Sequence, residues 1–546
     1  MSKPLITALL LIFALPAIAA DNQSIVRIND GDGAWRQRLG EHFGHLPRDR
    51  KRGEIVLQVD AADWRWLQTQ GYAPRFDAAL SAQLQTTLAK TIPGYSCYNT
   101  VEETDAFIDT QVSTHPTLAS IVDIGDSWEK TSPGGLAGYD LRLLRISNSA
   151  VVEDKSKMMV MSGLHAREYT PVQLNLKFAE WLLANYGTNA EATWLVDHNE
   201  FHVLLQANPD GRKIAEGGSS QRKNRHYFGS CSGTGIGVDL NRNFPFYWNL
   251  VPGGSSGSLC SDTYRGPTPR SEPEAAAVDD YVTSIFPDAR TGSENDLNDA
   301  ANANTPTMFI DLHSYGGTIL YPWGVAVTPT AAANDAAFKA MARRMTWFNN
   351  YDPGQSGSAL YLTDGASDDN AYGKLGVPAF TWELGSSFFD SCTTFNSEWP
   401  GNLDALRYAA RIVQAPYLRA AGPDVHTVAA MPAAVDQGTP VTISATATDA
   451  RFNQTSGSET IQNIMSARAY VDVLPWQSGA MPIAMAAADG SFNSATEALS
   501  LNLATASLTD GRHVVYIEAS DASGRAGAIG ATFLQISSGL LSDGFE

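Results

Sequence analysis

Four apolar runs in this chain stop at a polar residue of a kind that binds metal or moves protons. "KMMVMSGLH" ends at His165, "EFHVLLQANPDG" leads into Asn208 and Asp210, "TMFIDLHS" contains His313, and "VPAFTWELG" contains Glu383. Short continuous apolar runs of this kind fit strands covered on both faces. Helical patterns lie between them. "TVEE" at 100–103 predicts a capping box. "TPVQ" predicts a helix with Thr170 as N-cap, Pro171 at the first helical position and Gln173 at the third, with Val172, Leu176, Ala179 and Leu183 on its apolar face. "SEPEAAAVDDYVTSI" and "NLDALRYAARIVQ" read as further helices, the first opened by a Ser271–Glu274 capping box. This alternation predicts an α/β open sheet with helices on both faces. In such sheets sites form at the carboxyl ends of strands, where the four polar groups converge.

The flanks read differently. Residues 1–20 have Lys3, a short apolar run and Ala17-Ile18-Ala19, the pattern of a secretory signal peptide rather than a membrane span. Residues 21–93 read as a small α+β unit, with strand, short helix and strand over "GEIVLQVDAADWRWLQTQGYAPRF", either an independent domain or a pro-segment. Residues 94–420 hold the α/β pattern. Residues 421–538 alternate apolar and polar positions between Gly, Asp and Asn turns, which predicts an all-β sandwich of immunoglobulin or fibronectin type. Residues 539–546 read as a tail. A net charge of −20 argues against nucleic acid or an anionic membrane as the main partner. Four cysteines in an exported chain favour two disulfides, their connectivity open at this point.

His165 and Glu168, three apart, form half of a metal site at most. A rival pair, His198 and His202, is excluded by geometry: His202 opens an apolar strand, and four residues along a strand span roughly 13 Å, too far for one ion.

"HAREYT", "RKNR", "GVDLNRNFP", "DLHSYGG", "LYLTDGASD" and "FTWELG" follow one another in an order that resembles the zinc metallocarboxypeptidases of the carboxypeptidase A, B and T type, over about residues 95–417. The resemblance implies a mixed open sheet and one zinc ion per chain held by His165, Glu168 and His313, two imidazoles and a carboxylate that leave a coordination position open. It implies Glu383 as general base and Arg225 as the group that polarises the scissile carbonyl. Asn241, Arg242 and Tyr361 match the clamp on a terminal carboxylate, and Arg167 and Tyr315 match auxiliary substrate-side residues. Asp239 is either a partner carboxylate to His165 or a turn residue. Asp368 falls at the floor of the pocket for the departing side chain. Asp311 either adds charge there or bonds nearby backbone. The resemblance also implies a Cys231–Cys260 bridge and, with it, a Cys97–Cys392 bridge.

The function these residues imply is a secreted, extracellular or periplasmic, monomeric zinc carboxypeptidase made with a pro-segment. It takes single residues from the C-termini of peptides and proteins, preferring Lys and Arg with room for apolar side chains. Action on cell-wall (peptidoglycan) peptides is the alternative. The sandwich, whose ligand the sequence does not indicate, is expected to be dispensable for chemistry, because every catalytic match precedes residue 384.

Overall fold

The structure, a computed structural model, describes residues 24–29, 31, 35, 39, 48–49, 52–59 and 61–77, and residues 92–538 apart from 133–136, 294–295 and 328–329. The expected signal peptide and the tail lie outside the described residues. Residues up to Pro93 and residues from Gly94 form two units. In the first, β1 (Ser24–Asn29), β2 (Arg48–Asp49), β3 (Glu54–Val59) and β4 (Arg75–Phe76) pair antiparallel in the order β2-β3-β1-β4, with a helix over Ala61–Thr69. Val26, Ile28, Ile55, Leu57, Val59 and Leu67 are its core. The strand, helix and strand read from the sequence are all present.

The second unit is built on a mixed eight-stranded sheet. Its strands are β5 (Ala119–Asp126), β6 (Asp140–Ile146), β7 (Ser156–Ser162), β8 (Asn199–Leu204), β9 (Thr307–His313), β10 (Thr318–Tyr321), β11 (Asp352–Gln355) and β12 (Ala379–Glu383), in the order β11-β10-β12-β9-β7-β8-β6-β5. The central strands β12, β9, β7 and β8 are parallel, so their carboxyl ends lie along one edge. Every residue of β9 is buried, as expected of a strand covered by helices on both faces. β8 and β9 flank β7 on opposite sides, which makes the end of β7 a switch point where loops diverge and leave a crevice.

Two helix starts differ from the sequence reading. The helix after β7 runs Tyr169–Ala184, with Glu168, not Thr170, at the N-cap and no side-chain cap. Glu168 turns its carboxylate to two histidines, Thr170 Oγ1 meets the Tyr98 hydroxyl, and Gln173 accepts from the Asn99 amide, so tertiary partners replace the predicted box. The Pro273–Ile285 helix has Glu272 at its N-cap. Glu274 accepts from the Trp128 amide and Asn224 instead of closing a box with Ser271. The Thr100–Glu103 capping box forms as read.

The C-terminal strands β13 (Asp424–Met431), β14 (Ala434–Asp436), β15 (Val441–Thr448), β16 (Ile464–Val471), β17 (Ile483–Ala487), β18 (Thr496–Leu503), β19 (Gly511–Asp521) and β20 (Gly530–Ser537) make an all-β layer pair. The two layers are joined, because β17 pairs with β16 through Ile483–Met485 and with β18 through Ala486 and Ala487. This module does not stand apart from the α/β part. Phe452, Tyr470, Tyr516 and Ile529 belong to the same apolar core as Phe338 and Leu406. Ion pairs cross the seam, the buried Arg344–Asp449 at 2.7 Å and Arg411–Asp424 at 2.8 Å and the part-buried Arg419–Glu518 at 3.2 Å. Among the described residues no helix is long and apolar enough to cross a membrane. The disulfides are Cys97–Cys392 and Cys231–Cys260, as the resemblance implied.

Candidate active site

His165 follows β7, Glu168 caps the next helix, and His313 is the last residue of β9. All three are buried, and one donor atom of each lies within 4.8 Å of the others. His165 Nδ1 is 2.9 Å from Glu168 Oε1 and 2.9 Å from His313 Nδ1, which in turn is 3.1 Å from Glu168 Oε2. Both rings thus turn Nδ1 inward. Their outer nitrogens face carboxylates, His165 Nε2 at 3.1 Å from Asp239 and His313 Nε2 at 2.9 Å from Asp311. A carboxylate on the outer nitrogen fixes the tautomer that leaves the inner lone pair free for a metal. Two imidazoles and a carboxylate converging in this way fit zinc. Burial opposes ionisation of Glu168, but attraction to His165 and His313 holds it well below the usual carboxylate range.

Asp239 fulfils both of its sequence readings at once. It caps the short 3₁₀ turn Leu240–Arg242 through the Asn241 amide, and it takes two bonds from Arg222, from Nε at 3.1 Å and Nη2 at 2.8 Å. One buried carboxylate therefore ties a histidine, an arginine and the turn bearing Asn241 and Arg242. Burial would raise its pKa, and Arg222 instead keeps it far below the ordinary value.

The structure brings Arg222, not the expected Arg225, to the cluster. Arg225 does not reach the cluster; its Nε lies 3.7 Å from Glu129 Oε1. Arg222 does, with Nη1 3.2 Å from His165 Nδ1. The loop is pinned by its buried residues. Gln221 donates to three backbone carbonyls, Lys223 Nζ donates to those of Gly235, Leu259 and Ser261, and Asn224 donates to Glu272 and Glu274. With those anchors set, Arg222 enters the pocket and Arg225 stays on the rim.

Glu383 ends β12 opposite His313 of β9 and Thr318 of β10. A side chain at Gly316 would come 3.3 Å from Glu383 Cβ, so glycine there leaves the carboxylate its room. Burial pushes Glu383 up to about 8, His313 opposing and Glu168 adding to the rise. Its cleft is also lined by Arg222, Asn241, Arg242, Tyr361 and Asp368. Asn241 is held by the Ser367 amide, and Arg242 Nε donates to Gly254 O at 3.0 Å. Tyr361 is exposed, its ring 6.0 Å from the Arg242 guanidinium.

Asp368 is buried at the cleft with Ser356 Oγ at 3.3 Å and the Asp369 amide at 2.9 Å. Burial holds its carboxyl above the ordinary range, and burial with the charge of Asp368 does the same to Asp369. Asp311 is spent on His313 and Ser367, a role outside both sequence readings. Arg167 stacks 4.0 Å over Phe388, and Tyr315 meets the same ring edge-on at 4.8 Å. Phe388, Arg222 and Ser356 were missed by the sequence reading; only Arg222 had a signal, its place three residues before Arg225. Asp210 lies in the first turn of the Pro209–Ala215 helix beyond β8 and bonds Ser127 and Glu129, and His202 pairs with Tyr281, so neither bonds a member of the triad.

A zinc carboxypeptidase family model matches residues 104–403, more than half of the chain. The chain belongs to that family. Carboxypeptidase A2 of Rattus norvegicus is 30% identical over 301 residues, 54% of this chain and 64% of that protein, so the match spans less than two thirds of that relative. Carboxypeptidase B of Astacus astacus is 30% identical over 302 residues, 53% of this chain and 87% of its own length. The solved structure of thrombin activatable fibrinolysis inhibitor aligns with a TM-score of 0.50 at 24% identity, over 72% of this chain and 99% of the other, a likeness of fold.

Proposed function

We propose that this protein is an exported, monomeric zinc carboxypeptidase with one zinc per chain, acting on peptide and protein C-termini and preferring Lys or Arg. The observation that carries the reading is one cleft lined by His165 of the His165–Glu168–His313 cluster, the half-buried Glu383, the turn bearing Asn241 and Arg242, and the buried Asp368. Zinc at the triad would supply Lewis acidity to the carbonyl and the attacking water. Arg242, Asn241 and Tyr361 seat the terminal carboxylate, which restricts cleavage to the last residue. Glu383 takes a proton from the attacking water and returns one to the leaving amine nitrogen. Arg222 donates to the carbonyl oxygen as its negative charge develops. Asp368, costly while unpaired, is relieved by a cationic side chain, while Leu320 and Thr363 leave room for apolar ones.

Residues 21–93 are proposed to restrain activity until cleavage near Pro93. The test is a peptide set differing only in the C-terminal residue, digested with and without chelator. Loss of single Lys and Arg residues, abolished by chelator and restored by zinc, is expected. Internal cleavage, or full activity in zinc-free protein, would overturn the reading.

A further inference from the structure

A hydrogen-bonded path runs from the C-terminal sandwich to the end of the catalytic strand through Tyr351. The loop between β15 and β16 closes over the end of the Asp335–Asn349 helix. Arg343 of that helix donates to the carbonyls of Asn453, Thr455, Ser456 and Gly457, at 2.8 to 3.0 Å. Asn453 returns its own amide to Arg343 O at 2.9 Å. From this loop Asn453 Nδ2 donates to Tyr351 O at 2.7 Å, and Thr455 Oγ1 to Asp352 Oδ1 at 3.0 Å. The segment so held begins β11, at the sheet edge next to β10 and two strands from β12.

Tyr351 is buried, and its hydroxyl is fully used. It accepts from the Gly385 amide at 2.9 Å and from Asn402 Nδ2 at 3.1 Å, and donates towards Glu398 at 3.4 Å. Gly385 is two residues past Glu383 and has φ +69°, where a side chain would collide with Asp390. Its carbonyl accepts from the Gly316 amide at 3.2 Å, in the loop that leaves His313. The turn beyond the base therefore has one residue, Gly385, bonded on both sides, to the Gly316 loop through its carbonyl and to Tyr351 through its amide. A carboxylate at the last position of a strand depends on that turn for its direction.

Resting on the reading of Glu383 as general base, we propose that the sandwich is a brace for the catalytic strand, acting through Asn453, Tyr351 and Gly385 to hold Glu383 at its working angle. Tyr351 and Asn453 are positioning residues; neither touches substrate. The role differs from mere support of the fold, because the bonds from Asn453 and Tyr351 run to the turn directly after Glu383.

In the full-length protein, Tyr351→Phe and Asn453→Ala should each lower kcat about tenfold on the peptide cleaved fastest by wild type, with KM within about twofold and zinc affinity unchanged. The double variant should lose no more than the worse single one, since both act on one chain of contacts. Hydrogen exchange at the Gly385 amide should accelerate in both. Thr455→Val, which removes one hydroxyl donor at the same loop, should show the same effects in smaller degree and serves if Asn453→Ala folds poorly. Wild-type kcat in these variants, additive losses, or unchanged Gly385 exchange in Asn453→Ala and Thr455→Val would overturn the brace. A wild type that cleaves no peptide would sink the reading of the site instead, and exchange at Gly385 would then decide the brace alone.

Discussion

Arg222 and Arg225 differ by three positions and by everything that matters for a transition state. Arg222 has its guanidinium against Asp239 and His165, the place proposed for the carbonyl oxygen, whereas Arg225 faces Glu129. Arg222→Ala should lower kcat about 10²–10³-fold, the usual cost of removing one oxyanion donor, while Arg225→Ala should change it by less than about tenfold. The opposite ranking in steady-state kinetics would restore the sequence assignment. Asp368→Ala should depress kcat/KM for C-terminal Lys and Arg by about tenfold or more beyond its effect on Leu or Phe, because a desolvated charge pair has no substitute in water. Equal losses for all four would remove Asp368 from the pocket floor. His165, His313 and Glu383 were legible in the sequence because each marks the end of an apolar run, and Glu168 was legible only through the family motif "HAREYT". The arginine was not: a loop has no period, and buried Gln221, Lys223 and Asn224 decide which neighbour turns inward.

At the scale of elements, strands were legible and helix starts less so, because Glu168 and Glu274 each gave up a local cap for a distant partner. The joining of the α/β part to β13 was not legible at all, since alternation says nothing of what covers a face. There Asp424 is held between Arg411 and Arg451, at 2.8 and 2.7 Å. Burial opposes its charge, but the two arginines keep its pKa below the ordinary value. A carboxyl depressed in the folded state stabilises fully above its unfolded pKa of about 3.9, and that contribution is lost as pH falls below this value and on through the lower folded pKa. The urea midpoint of wild type should therefore decline between about pH 5 and pH 3 more steeply than that of Asp424→Asn. At pH 7 the variant should be less stable by about 3 kcal/mol, the low end for breaking a buried pair. Parallel midpoint curves would show that Asp424 is not charged in the fold.

For the whole molecule, the position of the catalytic matches before residue 384 argues that the sandwich can be removed, and the packing argues that it cannot. Trp194, buried on the Ala190–His198 helix, meets Trp476 and Tyr516 of the sandwich edge-on at 6.4 and 6.5 Å. Arg344 is fully buried between Asp449 and the ring of Phe452, its guanidinium 3.6 Å from that ring. A chain ending near Ala420 leaves these faces to water. The arginines would be hydrated there at little cost, so the loss is mainly apolar: uncovering Trp194 alone forfeits roughly 2–3 kcal/mol, against a total stability of about 5–15 kcal/mol. Phe338 and Leu406, which share the core with Phe452 and Ile529, would lose cover as well. The truncated chain should therefore aggregate, and whatever stays soluble should melt more than about 10 °C below the full chain. The comparison is a thermal melt with size-exclusion chromatography of both chains, zinc present. A soluble truncation that melts cooperatively at the full-length temperature would make the sandwich an appendage. One that melts there but turns over slowly would leave stability to the α/β part and the sandwich only its contact with Tyr351.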